Sequence, residues 1–339
     1  GGVDSAVSAL LLKRQGYEVI GVFMKNWNED NEDGVCTAES DWRDVRDVCD
    51  KIDIPYYSVD FAKEYWDRVF SLFLSEYKAG RTPNPDVLCN REIKFKAFLD
   101  FAMKAGAEKM ATGHFVRTDD QGRLLRGIDA NKDQSYFLYM VHREQLKKAM
   151  FPVGGMTKQD VRRIAEDAGL PVSKKKDSTG VCFIGERNFK SFLKNFLPAQ
   201  PGDMVTPEGE VVGRHDGLMY YTIGQRKGLG LALGYPAYVK EIRAAANEVV
   251  ISGEEGLYTQ DVFCKDLCFM SREVVEGEDV AARVKIRYHH AGAAASLQRI
   301  ADDQIKINFA EPVRAPAPGQ SAVFYDEQGH IIGGGKIIA

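Results

Sequence analysis

The feature that most constrains this 339-residue chain is a change of hydrophobic period near residue 198. Before it, strand-like and helix-like patterns alternate. Val3, Ala6, Val7, Leu10 and Leu11 recur at helical spacing, and Gly16 stops that helix. Glu18 to Met24 reads as a buried strand, and Ala38, Trp42, Val45, Val48, Cys49 and Ile52 mark a second amphipathic helix. Tyr56 to Asp60 is a short strand, Phe61 to Tyr77 a third helix, Ile93 to Met103 a fourth, and Lys109 to Gly113 returns as a strand. A further helix opens near Thr157, with Asp160 as its capping-box partner, and closes at Gly169 before Pro171. Strands and helices alternating at this spacing predict a parallel sheet covered on both faces.

Pro198, Pro201, Gly202, Pro207 and Gly209 then cluster, and the helical period disappears. Residues 201–260 read as a small glycine-rich β module. Beyond 261 the period is two. Val280, Ala282, Val284, Ile286 and Tyr288 alternate with Arg283, Lys285 and Arg287, so one strand face is apolar and the other positive. Ile305, Ile307 and Phe309 repeat the alternation, and Ser321–Tyr325 and Ile331–Ile337 flank a turn at Asp326–Gly329. A small antiparallel barrel or sandwich is the natural closure.

Forty-five basic against 49 acidic residues give a net charge of −4, which excludes a uniformly basic nucleic-acid coat but not a local basic face. Six cysteines are too sparse for a disulfide scaffold, so reduced thiols in a cytoplasmic enzyme are expected. No apolar run approaches the roughly 18 residues that span a bilayer, and no membrane partner is expected. The chain starts without Met inside a motif, so residues are expected to precede Gly1.

That motif is Gly1-Gly2-Val3-Asp4-Ser5, placed before a predicted helix. Two glycines let backbone N–H groups approach an anion, and the helix start adds partial positive charge. Ser5 can donate to a phosphate. Asp4 would sit poorly beside phosphate unless a cation, Mg²⁺, intervened. No Lys-Ser or Lys-Thr pair follows, so this is not a Walker A loop. A Gly-Gly turn with an Asp cap is the plain alternative.

Two cysteines stand in unusual surroundings. Cys89 follows Gly80-Arg-Thr-Pro-Asn-Pro-Asp-Val-Leu, a loop stiffened by two prolines, with a helix expected just after it and Arg91 and Lys94 nearby. Those neighbours would favour the reactive thiolate. Cys182 follows Lys174-Lys175-Lys176-Asp177-Ser178-Thr179-Gly180-Val181, an electropositive turn. Both are read as accessible rather than packed. Cys36 and Cys49 are read as small buried hydrophobes. Cys264 and Cys268 could meet His289 and His290 around zinc, but their loose spacing in a strand region argues against it.

GGVDSAV is similar to the SGGxDS PP-loop of ATP pyrophosphatases, which split ATP between its α and β phosphates. Together with AGRTPNPDVLCNREIKF, ATGHFVR, NKDQSYFLY, KKKDSTGVCFIGER, GLMYYTIGQRKGLG, KIRYHH and PGQSAVFY, it makes the whole chain resemble the bacterial tRNA-specific 2-thiouridylases of the MnmA (TrmU) family. The resemblance implies an α/β fold: a Rossmann-like parallel-sheet PP-loop domain over 1–200, a small β-rich central domain over 201–260 and a C-terminal antiparallel β-barrel that binds tRNA over 261–339.

It also implies the reaction, ATP-dependent replacement of O2 by sulfur on the wobble uridine of tRNA, with Lys, Glu and Gln acceptors expected. By the resemblance Cys89 is the nucleophile, Cys182 carries a persulfide, and a transient Cys89–Cys182 disulfide forms. Gly1, Gly2, Val3, Asp4, Ser5, Ala6, Val7, Met24 and Gly113 match the ATP site, with Mg²⁺ expected at Asp4. Asn84, Pro85 and Asp86 match the target-base segment. His114, Lys132, Asp133, Gln134, Arg287, Tyr288 and Gln320 match tRNA-contacting positions. A sulfur donor, either a relay protein or a cysteine desulfurase, is the expected protein partner. The chain departs from the pattern in lacking the first PP-loop serine, in alanines at 244–246 and around 291–295, and in an unassigned His290. Two rivals remain: an amidating pyrophosphatase, which needs neither cysteine, and a non-catalytic tRNA-binding protein.

Overall fold

The computed structural model describes residues 2–27, 37–177 and 189–338. Its contacts divide into two compact units, one of residues 1–69, 86–187 and 329–331, the other of 70–85, 188–328 and 332–339. The boundary near 69 falls inside a continuous helical run over 62–78, which contains a π-helical stretch at Trp66–Phe70.

In the first unit the Val3–Arg14 helix places Val3, Ala6, Val7 and Leu10 on one face, as residues three and four apart must. That face is buried with Val48, Cys49 and Ile52 of the Thr37–Ile52 helix and Val161 and Ala165 of the Lys158–Asp167 helix. The last helix starts as its sequence specifies. Thr157 Oγ1 accepts from the Asp160 N–H at 3.2 Å, and the Asp160 carboxylate reaches back to Thr157. It ends at Gly169 with φ +61°, a left-handed conformation that glycine adopts without steric cost.

The parallel pairings are Gly21–Lys25 with Tyr56–Asp60 and Met110–Ala111 with Ala149–Met150. The first strand begins three residues later than its apolar run. The second spans two residue pairs, and beyond it Thr112 N–H still donates to Met150 O at 3.0 Å.

One expectation fails in this unit. The helix expected just after Cys89 already begins at Pro85 and continues, through a π-helical stretch Asn90–Phe98, to Lys104. Proline fits the first helical turn because its missing N–H would have no intrahelical acceptor there. The earlier start puts Cys89 inside the helical run, on the inward side with Asn90, Ile93 and Phe95. Its exposure is 2%.

In the second unit, Val211–His215, Gly202–Val205, Glu248–Ser252 and Tyr238–Arg243 form a sheet in that order, over a core of Met204, Val239, Val249 and Ile251. Six strands then close a barrel in the order Tyr258–Phe269, Gln304–Arg314, Ala293–Ala301, Asp279–Lys285, Ser321–Tyr325 and Ile331–Ile337. Val280, Ala282, Val284, Ile305, Ile307 and Phe309 fill it, so the period of two became the inside and outside of a barrel. The positive face is narrower than expected. The Asp279–Lys285 strand ends at Lys285, which is itself buried, with its ammonium over the Tyr288 ring at 5.7 Å. Arg283 and Arg287 remain exposed.

Removing the cap of the Lys158–Asp167 helix should be measurable. Thr157→Ala is expected to cost about 1 kcal/mol, read as a lower urea midpoint with unchanged slope.

Candidate functional site

Gly2, with φ −104° and ψ 170°, caps the Val3–Arg14 helix without any side-chain cap. A helix leaves its first N–H groups without intrahelical acceptors, and they carry partial positive charge. Across from this start lies Gly113. A Cβ there would fall 2.6 Å from the Ser5 amide nitrogen and 2.9 Å from Asp4 Cβ, closer than packed atoms approach. Only glycine therefore lets the chain pass this close to the helix start. Val3, Ala6 and Val7 are buried, so their side chains hold the helix in the core. The Ser5 hydroxyl, expected to donate to phosphate, donates instead to Gly2 O at 3.0 Å. Met24 sits in its strand opposite Val59, and Gly1 is outside the described residues.

Asp4, for which the sequence suggested a Mg²⁺ partner, has a side-chain cation beside it. Lys158 Nζ donates to its Oδ1 at 2.6 Å. The same ammonium lies 2.8 Å from Asp177 Oδ1, and Asp177 also accepts from Lys132 at 2.8 Å and Arg162 at 2.7 Å. Burial lifts the Asp4 carboxyl above its ordinary range against the pull of Lys158. Burial would lift Asp177 too, but hydrogen bonds from Lys132 and Lys158, with their charges, hold it at about 2. Asp177 is thus an anion throughout the physiological range. Lys158, Arg162 and the role of Asp177 went unread in the sequence. Asp177 stood in the KKKDSTG stretch, but nothing in the pattern joins it to a residue 154 positions after Asp4.

The Cys89 helix contributes to the same unit. Asn90 Nδ2 donates to Phe137 O at 3.1 Å. Arg91, expected to act on the thiol, is paired with Glu92 at 2.8 Å. Lys94 Nζ lies 3.5 Å from His114 Nε2, and Thr112 Oγ1 is 2.8 Å from His114 Nδ1. Burial first, then the Lys94 charge, pushes His114 well below the usual 6.5, so the imidazole is neutral. Burial raises the Asp86 carboxyl, with Lys94 opposing. Cys89 keeps its thiol. Cys36 and Cys182 lie outside the described residues.

Several matched positions turn inward. Asp133 is buried and accepts from Arg126 Nε at 2.9 Å, Gly127 N–H and Ser135. Gln134 Oε1 accepts from the Phe115 N–H at 3.0 Å. In the second unit Gln320 Nε2 donates to Thr82 O at 3.0 Å and Pro83 O at 3.1 Å, holding the stretch that leads to Asn84 and Pro85. Arg287 is exposed and Tyr288 half-buried, its ring 4.7 Å from that of His289. Cys264 is buried in the barrel, which raises its thiol pKa, and no group of three or more His, Cys, Asp or Glu side chains placed to hold a metal occurs among the described residues.

Residues 1–186 match the model of the tRNA methyl transferase HUP domain, 190–253 that of the tRNA methyl transferase PRC-barrel domain, and 259–337 that of the aminomethyltransferase beta-barrel domain. An α/β HUP domain followed by two β domains is therefore the class. Over 99% of its length the chain is 54% identical to a protein named tRNA-specific 2-thiouridylase MnmA from Lysinibacillus sphaericus, covering 92% of that protein. It is equally similar, over the same shares, to the protein so named from Lactococcus lactis subsp. cremoris, and 52% identical to that of Staphylococcus aureus, with 100% and 93% covered. The chain belongs to the MnmA family of tRNA-specific 2-thiouridylases.

The buried imidazole gives a pH test. Above pH 6.5 His114 is neutral folded and unfolded; below it only the unfolded chain takes up the proton, so stability falls as pH falls. His114→Gln should flatten this loss, whose limit is about 1.4 kcal/mol per pH unit, in urea midpoints measured at about pH 7.5 and 5.5.

Proposed function

We propose that this chain is a tRNA 2-thiouridylase that uses ATP to adenylylate the C2 oxygen of a wobble uridine and replaces it with sulfur, giving 2-thiouridine, AMP and diphosphate. The observation that carries the reading is the helix start without a side-chain cap, closely approached by Gly113 and beside a basic cluster, in a chain of this family.

ATP fits that mouth as substrate. The first-turn N–H groups of the Val3–Arg14 helix would receive its phosphates, and Asp4 is the carboxylate placed to hold an accompanying Mg²⁺ once Lys158 gives way. The metal would supply charge neutralisation at the phosphates. A pyrimidine carbonyl oxygen is a poor leaving group, and adenylylation lets it depart as AMP. Sulfur arrives as a persulfide on Cys182. The Cys89 thiolate attacks the inner persulfide sulfur, forms the Cys89–Cys182 disulfide and releases the outer atom as sulfide, which attacks C2 as AMP leaves. A reductant restores both thiols.

The wobble base must leave its stack to react. Arg287 and Arg283 on the barrel offer phosphate contacts, and His114, Lys132, Gln134, Tyr288 and Gln320 match tRNA-contacting positions by the resemblance. The sulfur donor would be a relay protein or a cysteine desulfurase.

Mass spectrometry of tRNA nucleosides after incubation with ATP, a cysteine desulfurase and cysteine should show 2-thiouridine and an equal yield of AMP. Asp4→Asn should abolish AMP formation, whereas Cys182→Ser should still form AMP and transfer no sulfur. An ammonia-dependent product surviving both Cys89→Ser and Cys182→Ser would favour an amidating enzyme, and absence of tRNA-dependent AMP a passive binder. Separately, Arg287→Ala should weaken tRNA binding and lower its salt slope by about one charge. An unchanged slope would remove Arg287 from the footprint.

A further inference from the structure

Lys94 differs from the other cations of the Cys89 helical run. Arg91 and Lys96 are both spent on Glu92, at 2.8 Å and 3.0 Å. Lys94 has no ion pair with a carboxylate among the described residues, although it is half-buried between the fully buried Ile93 and Phe95. Its ammonium instead faces His114 Nε2 at 3.5 Å. An ammonium only donates, so Nε2 is the acceptor and the ring proton sits on Nδ1, toward Thr112 Oγ1. Phe95 and Phe151 flank the imidazole, with ring centres 5.8 and 6.4 Å away. Lys94 is thus a cation placed against a neutral ring, with its charge unpaired.

The matching carboxylate is Asp86. It lies eight residues earlier, about two turns along the same run, and it too has no ion pair among the described residues. Burial raises its carboxyl, and the charge that opposes this is that of Lys94. An ionised carboxylate only accepts hydrogen bonds. Uridine presents N3–H as a donor, whereas cytidine presents a bare N3. We propose that Lys94 is a positioning residue of the target-base segment, supplying the positive charge against which the Asp86 carboxylate accepts the N3–H of uridine and rejects cytidine. The inference rests on the reading of Asn84–Asp86 as that segment. A base laid over Asp86 strips more water from it, and a fixed ammonium nearby offsets that cost. A lysine that merely packs would matter equally at every pH and for either base.

Fluorescence anisotropy with tRNA transcripts carrying uridine or cytidine at the wobble position tests this without requiring turnover. The ratio of the two affinities, followed from neutral into acidic buffer, cancels the remaining RNA contacts. The wild-type chain should prefer uridine by about tenfold or more at neutral pH and lose the preference as Asp86 takes up a proton. Lys94→Gln should move the midpoint of that loss up by about one pH unit, because the carboxylate has lost its stabilising charge. Lys94→Arg keeps the charge and should leave the midpoint within about 0.3 unit. An unmoved or lowered midpoint in Lys94→Gln, even with both transcripts bound more weakly, would overturn the role of Lys94. Absence of any uridine preference in the wild-type chain would sink the target-base reading instead. Should Lys94→Gln not fold, Lys94→Met, which keeps the packed stem, takes its place. Should neither fold, Lys94→Arg decides, since a midpoint raised by a full unit with the charge retained would exclude the electrostatic role.

Discussion

The interaction on which the rest of the first unit depends is a single buried ammonium shared by two carboxylates from distant parts of the chain. Lys158 ties the opening turn of the first helix to Asp177. Desolvating three charges is costly, and removing one partner would strand the others. Such a cluster is a poor device for stability compared with packed aliphatics. It sits beside the start of the first helix, where partial positive charge already accumulates.

Around that cluster, close approach matters as much as charge. Gly113 lets a strand end pass within contact of Asp4 and Ser5, and the core face of Val3, Ala6 and Val7 locks the helix against its neighbours. Helix, strand end and lysine are thus each positioned by packing that has nothing to do with a ligand. The result is a preorganised mouth. The neutral His114, wedged between Thr112 and Lys94, continues the same arrangement toward the Cys89 helix.

The second unit separates strength from recognition. The barrel interior is aliphatic and aromatic, which is enough to hold a closed sheet. Its exposed arginines are few, in keeping with a chain that is acidic overall. Gln320, meanwhile, spends its amide on Thr82 and Pro83. The stretch Asn84–Asp86 is where the chain passes from one unit to the other, and Gln320 braces its approach.

The sequence alone determined whatever is local. The Thr157–Asp160 cap, the Gly169 stop, the strand Tyr56–Asp60 and the barrel strands Ser321–Tyr325 and Ile331–Ile337 follow from residue type and period, because caps and alternation act within a few residues. The helix start after the paired glycines was legible for the same reason. Tertiary structure decided what depends on partners far along the chain. It buried Cys89 by starting its helix at Pro85, turned Asp133 inward, buried Lys285 and made His114 neutral. It also brought Lys158 to Asp4 across 154 positions. No periodicity encodes an ion pair between the starts of two helices, since its energy exists only after the fold has removed the water between them.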